Sequence, residues 1–327
     1  MNQHMANAHG RAAADELLPP GMTRLGMGCG DLYGGAQHSQ SARLVQAAFD
    51  AGIRYFDVAR LYGNGSAEGV LGSVLKPVRG QVVIATKAGI VPWSMQLGKR
   101  LAYKAAVAGR ALGPLARNFV PEPRPPAERY GAFGSRDLQR SIECSLKALQ
   151  TDYIDVLLLH ECTPSDARAD ETLSVLQRFL RAGQIRAFGI ATHYADTVRI
   201  LQDVPGMADV AQIPSDAFSR NVLQLPAGHR LVVTHSALKH ALPRLKQHLA
   251  ACPAAAARWQ TALGVSPSDT SSIARILIGL AREDNEGGVV LFSTSHPERI
   301  TEMVQKPFAA DILRTARDEI SRMPLAG

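Results

Sequence analysis

The stretch "GIRYFDVARLYGNG", Gly52 to Gly65, contains the unit from which the fold is read. Ile53–Phe56 is a short apolar run of the kind that forms a buried strand. It delivers an acid, Asp57, and five residues later comes Tyr62, at the head of a Gly-Asn-Gly turn. An amphipathic stretch follows, with Val70/Val74 and Leu71/Leu75 each about one helical turn apart. Strand, polar strand end, turn and helix follow one another within a short span.

The same alternation recurs outward in both directions. Apolar runs stand at Arg24–Gly28, Ile53–Phe56, Val82–Thr86, Ile154–Leu159, Ile185–Ile190, Val210–Ile213, Leu231–Thr234 and Val289–Phe292. Helix-like segments lie between them, such as Leu44/Ala48 with Val45/Phe49, and Leu138, Ile142, Leu146 and Leu149 on one face. The runs are nearly continuous in apolar residues rather than alternating, as suits parallel strands covered by helices. Eight such repeats predict an α/β fold, a closed (β/α)8 TIM barrel, and 327 residues are enough for one. A doubly wound sheet is the alternative. Its first strand would run into a G-x-G-x-x-G turn, and Gly26-Met27-Gly28-Cys29-Gly30 lacks that spacing.

The composition, 46% hydrophobic and 20% charged, is that of a globular chain with a large core. Cys29, Cys144, Cys162 and Cys252 are far apart and form no C-x-x-C pair. They predict neither a zinc site nor a disulfide framework, and point to a reducing cytoplasm. Residues 1–20, polar and alanine-rich, are expected as a disordered tail before a single domain over 21–327. That tail has no apolar core of signal-peptide length, and no apolar run approaches the ~20 residues of a membrane span. The formal charge of +7 is uneven: Lys99 to Arg140 holds nine Lys/Arg against three acids. No nucleic-acid motif accompanies that charge. It is read as a solvated surface insertion at about 88–134, with no nucleic-acid or membrane partner implied. A monomer or weak homo-oligomer is expected.

Two long loops are expected, 88–134 after the third strand and 239–267 after the seventh. Both follow strands, so both belong to the C-terminal face, where such barrels build active sites and lids. Polar groups collect at the same face: Asp57 with Tyr62, Thr86-Lys87, His160-Glu161, Gln212, His235-Ser236 and Ser293-Thr294-Ser295. Singly, each has an ordinary structural role as a cap, a turn former or an exposed side chain. Four such residues on three successive strands weaken that explanation. His160-Glu161, His193 and His235 are conceivable metal ligands, but no H-x-H or H-x-x-x-H pairing supports a metal, and none is expected.

The motifs "GIRYFDVARLYGNGSAEGVLG", "VVIATKAG", "SLKALQTDYIDVLLLH", "AGQIRAFGIA" and "STSHPERI" occur in one order from about Met22 to about Arg317. In that combination the chain resembles the aldo-keto reductases, NADPH-using (β/α)8 enzymes. The resemblance implies a catalytic tetrad of Asp57, Tyr62, Lys87 and His160 that reduces an aldehyde or ketone to an alcohol, reversibly. Tyr62 would donate the proton, and Lys87 beside it would lower the phenol pKa. Asp57 would hold Lys87 charged, and His160 would polarise the substrate oxygen. The resemblance implies NADP(H), ahead of NAD(H), as cofactor, and a small-molecule carbonyl or alcohol as substrate. Gln212 would take the nicotinamide carboxamide and His235 would stack on the ring, where most relatives have tyrosine or another aromatic. Arg299 and Thr294 would hold the 2′-phosphate. Gly28, Cys29, Ser236, Ser293 and Ser295 fall on the cofactor side as well.

Some positions depart from the family pattern: Ser293 where many relatives have lysine, Met303 where asparagine is usual, and Ala191-Thr192 for the common Ser-Asn pair. They keep a second reading open, a cofactor-binding regulatory protein with little turnover. Trp93 and Tyr103, in the basic insertion, are candidate apolar substrate contacts, and Cys162 is a candidate site of oxidation sensitivity.

Overall fold

The computed structural model describes residues 17–92, 105, 128–227 and 229–324. Eight parallel strands close into a barrel in chain order: β1 (Leu25–Gly28), β2 (Tyr55–Asp57), β3 (Val83–Ala88), β4 (Ile154–His160), β5 (Ile185–Ala191), β6 (Val210–Pro214), β7 (Leu231–His235) and β8 (Val289–Phe292). Around it lie α1 (His38–Asp50), α2 (Ala67–Leu75), α3 (Ser135–Leu149), α4 (Pro164–Arg168), α5 (Asp170–Arg181), α6 (Tyr194–Asp203), α7 (Ala241–Ala251), α8 (Pro253–Leu263), α9 (Thr270–Asp284), α10 (Pro297–Gln305) and α11 (Ala310–Ser321). The (β/α)8 expectation holds.

Each strand splits its side chains between two cores, because successive residues face opposite sides. Tyr55, Val83, Ala85, Val156, Leu158, Val210, Leu231, Val233, Val289 and Leu291 fill the barrel interior. Phe56, Ile84, Leu157 and Leu159 pack outward, in the layer under the helices. Both faces are therefore apolar, which is why the runs read as continuous. Leu18 belongs to the interior cluster and is 4% exposed. Residues 17–20, expected as the end of a tail, thus belong to the fold, and 1–16 lie outside the described residues.

The segment after β7 corrects a second expectation. Instead of an irregular loop at the mouth, it forms α7 and α8. Leu245, Leu249, Trp259 and Leu263 of these helices pack on Ile273, Ile276 and Leu280 of α9 and on Leu313 and Ile320 of α11. That second core lies on the flank of the barrel. Pro253 starts α8, where its missing N–H removes no helical hydrogen bond. The insertion after β3 is clamped at its base: Val91 and Arg129 exchange two backbone hydrogen bonds, 2.9 and 3.1 Å, and Ala132 N donates to Gly89 O at 2.9 Å. Arg129, one of the cations between Lys99 and Arg140, holds Asp137 through two bonds of 2.7 and 2.9 Å. Most of the insertion, with Trp93 and Tyr103, lies outside the described residues.

Candidate active site

The strand period places the site. The inward series Tyr55, then Asp57, runs along β2; Val83, Ala85, then Lys87 along β3; Val156, Leu158, then His160 along β4. Val210 precedes Gln212 on β6, and Leu231 and Val233 precede His235 on β7. In each case the next inward position after the apolar filling is polar. The parallel register sets Asp57 beside Gly28 and Ala85, Lys87 beside Leu158, and His160 beside Ala191. These side chains therefore converge on the floor of a cleft of about 850 Å³ at the C-terminal mouth. Strands β2 to β7 run one or two residues further than the apolar runs do, so Asp57, Lys87, His160 and His235 are strand residues.

Lys87 is the centre of the cluster. Its Nζ donates to both Asp57 oxygens at 2.7 Å and to Val58 O at 3.1 Å. Burial opposes its charge, but Asp57 and then Tyr62 outweigh burial and hold its pKa above the ordinary lysine value. The ammonium also lies 4.8 Å from the centre of the Tyr62 ring. The ring of Tyr62 meets that of His160 edge-on, 6.2 Å apart at 87°.

Tyr62 owes its place to the turn that follows it. Gly63, Asn64 and Gly65 all have positive φ, 57°, 56° and 85°. A Cβ on Gly63 would sit 1.8 Å from Leu32 O, so only glycine fits against the β1–α1 connection. Gly63 N donates to Gly30 O at 3.0 Å, and Gly34 N donates to Ser66 Oγ at 2.8 Å. The turn is thus pinned to the neighbouring connection, and the phenol is held over Lys87.

The electrostatics differ from expectation at Tyr62. Lys87 does lower its pKa, but burial raises it more and Asp57 adds to the rise, so the phenol stays above its ordinary value. His160 is pushed down to about 3, by burial first and then by Lys87 and His235, and is neutral at physiological pH. His235 is also lowered, mainly by burial. Its Nδ1 lies 2.8 Å from Ser236 Oγ.

Gly28, Gln212, His235, Ser236 and Ser293 line the cleft with the tetrad. The Oε1 of Gln212 is buried and has no hydrogen-bond partner among the described residues. Ser293 Oγ donates to Gly28 O at 3.0 Å, and a Cβ on Gly28 would sit 2.5 Å from the Ser293 hydroxyl oxygen. Cys29 is buried beneath the cleft, its Sγ 3.6 Å from Met27 O, with the thiol pKa raised by burial. Thr294, Ser295 and Arg299 do not line the cleft. Arg299 is exposed in the first turn of α10, and Thr294 Oγ1 accepts from His296 N at 3.1 Å. Cys162 is buried and pushed up to about 12, chiefly by burial, which makes it a poor target for oxidation.

The structure adds cleft residues that sequence reasoning did not single out: Asp216, Ser219, Asn221, Lys239 and His240. Lys239 and His240 lie four and five residues past His235, within reach of the same strand-end rule. Thr192 also lines the cleft, but its hydroxyl is engaged with Cys162 O at 2.9 Å. Among the described residues no group of three or more His, Cys, Asp or Glu is placed to hold a metal. No helix among them is long and apolar enough to cross a membrane.

A model of the aldo/keto reductase family matches residues 24–221. The chain belongs to that family. Its curated relatives include Aldo-keto reductase YhdN of Bacillus subtilis, 28% identical over 61% of this chain and 52% of that protein. D-threo-aldose 1-dehydrogenase of a Pseudomonas species is 28% identical over 59% and 56%. The match thus spans about half the length of these aldo-keto reductases. Among solved structures, the glycerol dehydrogenase AKR11B4 from Gluconobacter oxydans superposes with a TM-score of 0.65 at 19% identity, over 93% of this chain and 94% of its own. An aldo-keto reductase from Klebsiella pneumoniae in complex with NADPH gives 0.59 at 21%, over 93% of each. At such identities the likeness shows the shared barrel.

Proposed function

We propose that this aldo-keto reductase interconverts an aldehyde or ketone and the corresponding alcohol, with NADP(H) as its cofactor. The observation that carries the reading is the cluster of Tyr62, Lys87, Asp57 and His160 on the floor of a cleft large enough for ligands. The cofactor's fit rests on Gln212. Gln212 lines the cleft, its amide oxygen is buried without a partner among the described residues, and such an acceptor suits the amide N–H of a nicotinamide carboxamide. That a solved relative is a complex with NADPH supports the same choice.

When bound, the nicotinamide supplies the two electrons and hydrogen that reach the carbonyl carbon. The chain's own residues manage the oxygen. His160, neutral, offers a ring N–H to that oxygen as negative charge develops on it. Tyr62 gives its proton to the nascent alkoxide. Its raised pKa keeps it protonated until then. Lys87 stabilises the phenolate left behind, and Asp57 keeps Lys87 charged and aimed. In the reverse direction the phenolate takes the alcohol proton. Gln212, His235, Ser236 and Ser293 would position the cofactor within the cleft, and Lys239 at its rim adds a cation suited to phosphate. Arg299 and Thr294 would reach the 2′-phosphate from the head of α10.

The test is a fluorescence titration with NADPH and NADH, followed by addition of an activated aromatic aldehyde. NADPH should bind more tightly and be oxidised. Tyr62→Phe should keep the affinity and lose on the order of 10²–10⁴ in turnover. Unchanged turnover in that variant would remove Tyr62 as proton donor. Failure of both nucleotides to bind would remove the cofactor assignment.

A further inference from the structure

A second cavity, about 550 Å³, lies among the outer helices, beside the start of β1. It is lined by Arg24, just before β1, by the later turns of α9 and by the link between α10 and α11. Its size is that of a small-molecule site. No member of the tetrad lines it, and Ile278 lines both cavities.

The wall chemistry is divided. Ile278 and Leu313, 2% and 6% exposed, form an apolar floor with Met303 and Phe308. Arg24, Arg275, Arg282 and Lys306 bring four cations, against the carboxylates of Glu283 and Glu286. Glu283 is already held by Arg317 at 3.1 Å. Arg275 lies 4.6 Å over the Phe308 ring and donates its Nε to Lys306 O at 3.1 Å, so its guanidinium is fixed as part of the aromatic wall.

Arg282 is the unsatisfied group. Its Nε is buried with no hydrogen-bond partner among the described residues, and no ion pair is found for it among them. Burial alone pushes its pKa down, with no carboxylate opposing. Part of the Arg282 guanidinium is thus out of water at the cavity wall, where an unmatched polar group is costly, and an oxyanion with two free oxygens can accept from two N–H groups of a guanidinium.

We propose that this cavity binds a small amphipathic anion, its apolar ring body on Phe308, Met303 and Leu313, and its carboxylate, sulfonate or phosphate head on Arg282 and Lys306. The site is separate from the catalytic cleft and is filled independently of it.

The probe is 8-anilinonaphthalene-1-sulfonate, titrated by fluorescence into the full chain. It should saturate one site that persists under saturating NADPH. Its affinity should fall about tenfold or more in Arg282→Met, which keeps the chain's bulk and removes the charge. Ala310→Trp, which fills the cavity from its exposed rim and leaves every charge in place, should weaken it similarly. The neutral analogue N-phenyl-1-naphthylamine should bind at least tenfold more weakly. Lys306→Met, at the exposed rim, replaces Arg282→Met if the latter does not fold. Equal affinity in the charge-removed variant, equal binding of the neutral analogue, or complete displacement by NADPH would each overturn the proposal. The comparison of variants needs no cofactor, so it stands whether or not the cleft takes NADPH.

Discussion

Removing one charge from the tetrad should cost stability in a way that pH can reverse. In Asp57→Asn, Lys87 would keep its place, 3% exposed, but lose the carboxylate that meets its Nζ at 2.7 Å. Breaking a buried pair by deleting one partner costs about 3–5 kcal/mol. The lysine has an escape, which is to fold without its proton. Relative to an unfolded lysine of pKa ~10.4, that costs about 1.4 kcal/mol for each pH unit below 10.4, or roughly 5 kcal/mol at pH 7 and roughly 1 at pH 9.5. The escape sets a ceiling on the loss at each pH. The sign follows from which state binds the proton. In the wild type the folded pKa of Lys87 is raised, so its contribution is intact below ~10.4 and is lost only as pH rises through the folded value. In the variant the folded pKa is depressed, so the unfolded chain binds the extra proton and stability rises with pH. Urea unfolding followed by circular dichroism should therefore give a deficit of about 3–5 kcal/mol at pH 7 that shrinks to about 1 at pH 9.5. Adding Lys87→Met should recover most of it at pH 7, because no charge is then left buried. A deficit under about 1 kcal/mol at pH 7, or one that does not shrink by pH 9.5, would refute the picture of a desolvated, carboxylate-dependent ammonium.

Other outcomes can be stated more briefly. kcat/KM for carbonyl reduction should be flat between about pH 5.5 and 8.5, since His160 titrates near 3 and Tyr62 and Lys87 are raised; an ionisation in that range abolished by His160→Gln would contradict the neutral histidine. The same depressed His160 makes the unfolded chain the better proton acceptor below ~6.5, so stability should fall as pH drops from there toward 3, which urea midpoints would show. Arg299→Ala should weaken NADPH by about 10–100-fold, the worth of a charged hydrogen bond, and NADH by under about twofold; equal losses by fluorescence titration would separate Arg299 from the 2′-phosphate. Trp259→Ala, in the second core, should cost about 3–5 kcal/mol while leaving kcat in the folded fraction unchanged; a matching loss of kcat would tie that core to the cleft.

The barrel was legible because its strands are apolar on both faces. Ile154–Leu159 or Val289–Phe292 can scarcely be read otherwise. The strand ends were less so, because the inward residue that closes each strand, Asp57, Lys87 or His160, is polar and reads as loop, although the backbone pairing continues through it. The sequence reading set all three at the strand ends, and counting inward positions in steps of two from Tyr55, Ala85 and Leu158 adds that they point into the barrel mouth. The helices α7 and α8 were obscured because "ALPRLKQHLAACPAAAARWQTAL" is alanine-rich and broken by Pro243 and Pro253, and its apolar face is completed only by α9 and α11. The direction of the Tyr62 shift was out of reach, since it depends on how burial balances against Lys87, which only the folded geometry sets.

The seam between β1 and β8 bears on how the chain is made. Leu25 pairs with Val290, and Ser293 reaches back to Gly28. A ribosome adding ~5–20 residues per second needs roughly 10–50 s to synthesise the partner that β1 awaits. Throughout that interval the growing sheet has two open edges, each a template for pairing with another nascent chain. The last strand thus ends the period of greatest exposure to aggregation as well as completing the site, and a late-stalled or truncated product would be a candidate for chaperone capture.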